Sequence, residues 1–293
     1  MVPSSVSTRV MVISDTHEHF LDGTTMPAVD IVLHTGDMTN FGELESLRQF
    51  VKMMGTIEAE LKLVIAGNHD ISLDVTSRVG NMSDEEYAKY HEMALEIMTD
   101  SSAKEAGITY IQEGTYTFTL GNGATFKVYA SPYTPGSGDW AFSYQPLDDR
   151  FNNAEQTIQN SIAKNPIGSG VDIVMTHGPP KFILDQVDGQ NLGCPSLLHA
   201  VSRTRPLMHC FGHIHEGHGA NIVTWIPDGQ LKDPLSATPL ETEQVNEYPY
   251  TNKWTIDPGQ QTLMINASIM TNTSSGMRPR YKPFIVALDL PRQ

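Results

Sequence analysis

The sequence predicts an α/β protein with mainly central strands. Two observations carry that expectation. Five short, β-rich apolar runs recur along the chain, and stretches with apolar residues near helical spacing lie between them. The runs hold almost no polar residue, which suits strands buried on both faces, because a strand wetted on one face alternates instead. At 293 residues the chain is long enough for a substantial core, in one large domain or two small ones.

The elements follow in order. "RVMVIS" (9–14) is the first run and stops at Asp15, and "DIVLHTGD" (30–37) is the second, ending at Gly36 and Asp37. The spacing then predicts a helix over 42–58. "LKLVIAGNHD" (61–70) is the third run, with the polar tail Gly67 to Asp70. A second helix is expected over 82–100, where Ser83 stands as a cap before acids in the first turn. Strands are expected over 115–120 and 125–132, and a helix over 151–165. "GVDIVMTHGPP" (170–180) is the fourth run and ends at His177; after a helix over 195–203, "LMHCFGHIH" (207–215) is the fifth. Strands over 261–268 and 284–290 close the chain. Residues 227–260 hold five prolines, few apolar residues and no sustained period, so they read as a long surface insertion. Its aromatics, Tyr248, Tyr250 and Trp254, either cap a site or pack the loop onto the body.

Composition excludes several classes. Nineteen Lys+Arg against 34 Asp+Glu leave a formal charge of −15, which repels a polyanion and makes a nucleic-acid duplex a poor partner. No apolar run approaches the roughly 20 residues of a membrane span. The N-terminal stretch lacks the basic start, apolar core and cleavage site of a signal peptide. Cys194 and Cys210 are too few for a disulfide framework and show no CxxC spacing, so ordinary buried thiols and the cytosol are expected.

Function is suggested by where the polar residues fall. Asp15 and His17 follow the first run, Asp37 the second, Asn68 and His69 the third, His177 the fourth, and His213 and His215 the fifth. Taken singly, each has a plain structural reading as a cap, a turn former or a hydrogen-bonded loop histidine. Yet the carboxyl ends of strands in an open α/β sheet form one rim, where ligands bind, so five such ends converge. Carboxylates and neutral imidazoles suit Mn²⁺, Fe²⁺ or Zn²⁺, and the lack of cysteine argues against a sealed structural zinc site. In "GHIH" the histidines at i and i+2 of an extended segment can diverge to two adjacent metals. Two ions about 3.5–4 Å apart bind phosphoryl oxygens and generate hydroxide near neutral pH. The glycines beside the histidines let backbone and substrate approach closely.

With those residues assembled, the chain resembles the calcineurin-like metallophosphoesterase superfamily, whose motifs are DxH, GD, GNH[DE], a lone H often followed by GPP-like residues, and GHxH. Here they stand as Asp15-Thr16-His17, Gly36-Asp37, Gly67-Asn68-His69-Asp70, His177-Gly178-Pro179-Pro180 and Gly212-His213-Ile214-His215. The resemblance covers roughly residues 8–225 and the strands at 261–290. The detailed wording is similar to the small metallophosphoesterase-domain-containing branch, some of whose members are phosphodiesterases. It implies one domain over 1–293, a four-layer α-β-β-α sandwich with two mixed sheets, and two divalent ions. By the same resemblance Asp15, His17 and His215 hold the first ion, Asn68, His177 and His213 the second, and Asp37 bridges them. His69 protonates the leaving oxygen or binds a phosphate oxygen, with Asn68 beside it against the substrate.

One departure bears on the substrate. The superfamily's protein phosphatases read GDxxDRG, whereas this chain has Asn40 at the Asp position and no following arginine. The Asp that would polarise His69 and the Arg that would hold a phosphomonoester are missing, which favours a monoanionic diester. Asp70 is left as a candidate to orient His69, although adjacent side chains often diverge. His19, His34, His209 and His218 match no ligand position and read as structural or surface residues. Trp140 either stacks a nucleobase of the substrate or packs its loop. The leading expectation is a dinuclear-metal phosphodiesterase acting on a small diester, cyclic nucleotides included. The alternatives are a phosphomonoesterase on a small metabolite and a metal-binding member of the fold without turnover.

Overall fold

In the computed structural model, which describes residues 4–78, 80–136, 140–225, 238–240, 252–274 and 276–292, each apolar run forms a strand shielded on both faces. β1 (Ser5–Ile13), β2 (Val29–His34), β3 (Ala59–Val64) and β4 (Ile108–Tyr110) pair in parallel. The second sheet contains β5 (Gly114–Thr119), β6 (Thr125–Ser131), β7 (Ile173–Thr176), β8 (Met208–Phe211), β9 (Gly219–Thr224) and β10 (Gln261–Asn266). Its centre is parallel, in the order β6-β7-β8-β10, with β5 and β9 antiparallel on either side. β11 (Phe284–Pro291) returns to the first sheet, antiparallel to β1. Short strands at Thr238–Leu240 and Asn252–Lys253 complete two mixed sheets of seven and six strands.

Successive side chains of a strand point to opposite faces, and that alternation sorts three cores. Val10 and Val12 of β1 and Ile31 and Leu33 of β2 face inward, against Phe126, Val128, Ile173, Met175 and Ile265 of the second sheet. Met11, Ile13 and Val32 face outward, onto Phe50, Val51 and Met54 of α1 (Leu44–Gly55) and Ile97 and Met98 of α2 (Asp84–Thr99). Beyond the second sheet, Val174, Phe211 and Met264 are covered by Leu197, Leu198 and Val201 of α4 (Pro195–Thr204). The short α3 (Ser101–Glu105) packs with α1 and α2. The layering is therefore α-β-β-α. Ser83 caps α2 in a reciprocal pair with Glu86, whose carboxylate accepts from the Ser83 amide at 2.8 Å.

The expected helix over 151–165 does not form. Local side chains capture the backbone first: Asp149 Oδ1 accepts from the amides of Phe151 and Asn152, and Asn153 Oδ1 from those of Glu155 and Gln156. Asx turns of this kind compete directly with the helical ladder. Phe151 and Ile167 still bury themselves against the second sheet, so the segment covers it without being regular. Most of the expected insertion at 227–260 lies outside the described residues, Tyr248 and Tyr250 included. Trp254 is described, and it is buried in the core between the sheets. No helix among the described residues is long and apolar enough to cross a membrane.

Candidate metal centre

The parallel strands of both sheets run the same motif-bearing ends into one rim, and tight loops turn the polar residues inward. Asp15, His17, Asp37 and His213 all have φ between 42° and 66°, the left-handed region that costs a non-glycine residue on the order of 1 kcal/mol or more. The neighbouring glycines explain how such loops pack. A Cβ at Gly67 would run into the Asp37 carboxylate, and one at Gly212 into the Asp15 carboxylate and Ser14. These two glycines make room for carboxylates of a neighbouring loop, which is more specific than the general closeness expected of them.

Two clusters result, overlapped by a third grouping of His17, Asp37 and His69. In the first, Asp15, His17 and His215 bring ligand atoms within 4.8 Å of one another. Asp15 Oδ1 lies 3.2 Å from His215 Nε2, and the His213 amide donates to both Asp15 oxygens at 3.0 and 3.1 Å. In the second, Asp37, His177 and His213 meet the same limit. Asn68 joins them, its Oδ1 lying 2.9 Å from His177 Nε2. Asp37 faces both groups: Oδ2 lies 3.6 Å from His17 Nε2 and 3.3 Å from His177 Nε2, while the His69 amide donates to Oδ1 at 2.8 Å.

The donor set fits divalent cations. His177 Nδ1 donates to the Thr35 carbonyl at 2.9 Å, so Nε2, Asn68 Oδ1 and Asp37 Oδ2 converge as three acceptors that need a proton or a cation among them. Burial alone would lower His177, but the Asp37 and Asp15 carboxylates raise it to about 9. In the first cluster, both ring nitrogens of buried His17, and Nδ1 of His215, have no hydrogen-bond partner among the described residues. Burial would raise the Asp15 carboxyl, yet the His215 hydrogen bond and the surrounding imidazoles hold it well below the usual range. Burial pushes His213 down to about 4 and lowers His17, leaving neutral imidazoles, the form that binds metal.

Residues 8–217 match the family model of calcineurin-like phosphoesterases. The chain belongs to that family. It is 32% identical over 220 residues to metallophosphoesterase domain-containing protein 1 of Homo sapiens, covering 72% of this chain and 62% of that protein. It is 34% identical over 211 residues to a UPF0046 protein of Caenorhabditis elegans, covering 72% of this chain and 64% of the relative. It is also 34% identical over 219 residues to a probable rhamnogalacturonate lyase C of Emericella nidulans, covering 74% of this chain but 18% of that protein. The chain thus spans less than two thirds of the length of each of these relatives.

Within this calcineurin-like chain, the structure gathers all seven motif ligand candidates and His69 at one place. His69 edges against His17 with ring centroids 4.7 Å apart. Asp70 does not orient it. The Asp70 carboxylate is buried and accepts from the amides of Gly67, Met38 and Thr39, tying two motif loops together, and burial with the Asp37 charge raises it to about 6. Instead His69 Nδ1 lies 2.8 Å from the carbonyl oxygen of Asn40, the residue standing where the phosphatases have Asp. A backbone carbonyl carries no residue signature, so sequence reading could not find it. His34 and His209 are enclosed supports: His34 links Thr16 Oγ1 and the Gly36 amide, and His209 meets Thr176 Oγ1 at 2.8 Å. His218 bonds the Ser268 carbonyl and stacks on Tyr281.

Proposed function

We propose that the chain is a phosphodiesterase that hydrolyses a small phosphodiester with two divalent ions, cyclic nucleotides being the first candidates to test. In this reading Asp15, His17 and His215 would hold one ion and Asn68, His177 and His213 the other, with Asp37 available to both. Ions of this kind supply Lewis acidity to phosphoryl oxygens and water activation near neutral pH, and the oxygen and imidazole donors suit Mn²⁺ as well as Fe²⁺ or Zn²⁺. His69 donates from Nδ1 to the Asn40 carbonyl, which leaves Nε2 as the ring atom available to the substrate. In this reading the ring acts as an imidazolium, keeping Nδ1–H on the Asn40 carbonyl and giving its Nε2 proton to the leaving oxygen, while Asn68 would hold a phosphoryl oxygen beside it. Two buried unpaired thiols, Cys194 and Cys210, suit a reducing compartment, and a cytosolic setting is part of the proposal.

The observation that carries the diester reading is the Asn40 carbonyl behind His69, with Phe41 rather than an arginine after it. Neither an aspartate behind His69 nor an arginine after it stands at these two positions, which favours a monoanionic diester over a dianionic monoester. The test is hydrolysis of bis-p-nitrophenyl phosphate and p-nitrophenyl phosphate side by side, by metal-stripped protein resupplied with Mn²⁺, with His213→Ala as control. Diester turnover that needs both Mn²⁺ and His213 is expected. Faster monoester turnover would replace the diester by a metabolite monoester. Silence on both with two ions bound would point to a very selective enzyme or to a metal-binding member of the fold without turnover.

A further inference from the structure

Exposed aromatic rings are unevenly spread over this molecule. Among the described residues the exposed Phe and Trp side chains are Phe20, Phe41, Trp140 and Phe182. Each lies in the loop that leaves the carboxyl end of a parallel strand: β1, β2, β6 and β7 in turn. Every other described Phe or Trp is buried or half-buried. Large rings kept in water at one rim, when the cores elsewhere accept aromatics freely, mark a surface that binds something apolar.

Phe41 and Trp140 form a pair. They are 56% and 43% exposed, their centroids are 6.4 Å apart and their planes differ by 15°. The Trp140 ring lies 4.2 Å from that of His69, and the Phe41 ring 6.4 Å from it. Both rings are placed by the loops of the site itself. Asn40, next to Phe41, gives its carbonyl to His69. Ala141, next to Trp140, donates its amide to the Asn68 carbonyl at 3.2 Å, and Phe142 donates to the buried Asp74 at 2.7 Å. The backbone that carries each ring is thus tied to a motif loop.

We propose that Phe41 and Trp140 are a stacking platform for a planar aromatic group of the substrate, a nucleobase or an aryl ring, on the His69 side of the metal centre. The proposal rests on the phosphoester-cleaving reading above and names the class of ester that it takes. Two near-parallel π faces meet one planar group in a common orientation, and stacking of this type is worth roughly 5- to 150-fold in binding per ring. It also suits a chain of formal charge −15, which offers an anionic ester few cationic holds away from its metals.

The experiment is calorimetric binding to Mn²⁺-loaded protein of adenosine 5′-monophosphate and ribose 5-phosphate, which share a phosphate and differ by the base. The nucleotide is expected to bind at least about tenfold tighter to the unmodified protein. That ratio is expected to collapse in Trp140→Leu and in Phe41→Leu, and to survive largely in Trp140→Phe, which keeps a planar ring. Equal affinities in the unmodified protein, binding of neither probe, or a ratio that survives both leucine changes would overturn the platform and leave the rings as a partner surface. Binding needs no turnover, so a failure of the diesterase reading shows separately, in the hydrolysis assay.

Discussion

The two halves of the metal centre differ in how firmly the protein itself holds their side chains. Around His177 the ring is fully enclosed, Nδ1 is fixed by the Thr35 carbonyl, and Nε2 already meets Asn68 and Asp37. Among the described residues neither ring nitrogen of His17 has a hydrogen bond, and the His215 ring is held through Nε2 alone, by Asp15. An oriented ligand loses little freedom on taking an ion, and outer partners of that kind are commonly worth 10- to 100-fold in affinity. If the centre takes two ions as proposed, the half around His177 is expected to bind the more tightly, once the ion has displaced the proton that Asp37 favours there, and the half around His17 to exchange more readily.

The largest effect tests what the halves share. Asp37→Ala is expected to release both ions and to lower kcat/KM by roughly 1,000-fold or more, beyond the 10- to 100-fold loss typical of an outer partner. Retention of one ion at full affinity, seen by elemental analysis, would mean that Asp37 serves a single half. The difference between halves is sharpened by titrating Mn²⁺ calorimetrically into two variants. His177→Ala is expected to erase the tighter step and His17→Ala the weaker one, the steps lying about 10- to 100-fold apart. Loss of the same step in both would break the comparison.

A smaller effect comes from Gly212→Ala, whose Cβ is driven into Asp15 and Ser14. It is expected to weaken the His17 half by about tenfold and leave the His177 step in place; equal weakening of both steps would contradict that. The smallest effect concerns the enclosed supports. Burial pushes His34 and His209 each down to about 3. An unfolded imidazole titrates near 6.5, so below that pH the unfolded chain binds more protons than the folded one. Stability is therefore complete above about pH 6.5 and falls as pH drops toward 3, by up to ~1.4 kcal/mol per pH unit for each histidine. Urea unfolding of His209→Gln is expected to show a shallower acid slope than the unmodified protein, and an identical slope would rule His209 out as a contributor.

Much of the frame was legible because a buried strand advertises itself. Runs such as "RVMVIS" and "DIVLHTGD" have an apolar stretch, Val10–Ile13 and Ile31–Leu33, that gives way to polar residues, so their ends, and with them Asp15 and Asp37, could be read directly. The same feature hid the layers. Where both faces of a strand are apolar, nothing in Val10–Ile13 tells which residues meet the other sheet and which meet the helices. The segment 151–165 was misread because apolar spacing ignores competition from Asp149 and Asn153 for the backbone amides. Phe41 gave no signal either, since its importance is its plane relative to Trp140 across the rim.

By itself the sequence determined which chemical groups stand at the strand ends, since composition and run length are local properties. Tertiary structure decided which of them meet. The amide of His213 reaches Asp15 across 198 positions, His177 reaches Asn68 across 109, and neighbours as close as His213 and His215 go to different clusters. Those pairings follow from the order of strands within each sheet and the way the two sheets stack. A side chain reaches only a few ångströms, so its partner is set by what the fold brings beside it and not by what precedes it in the chain.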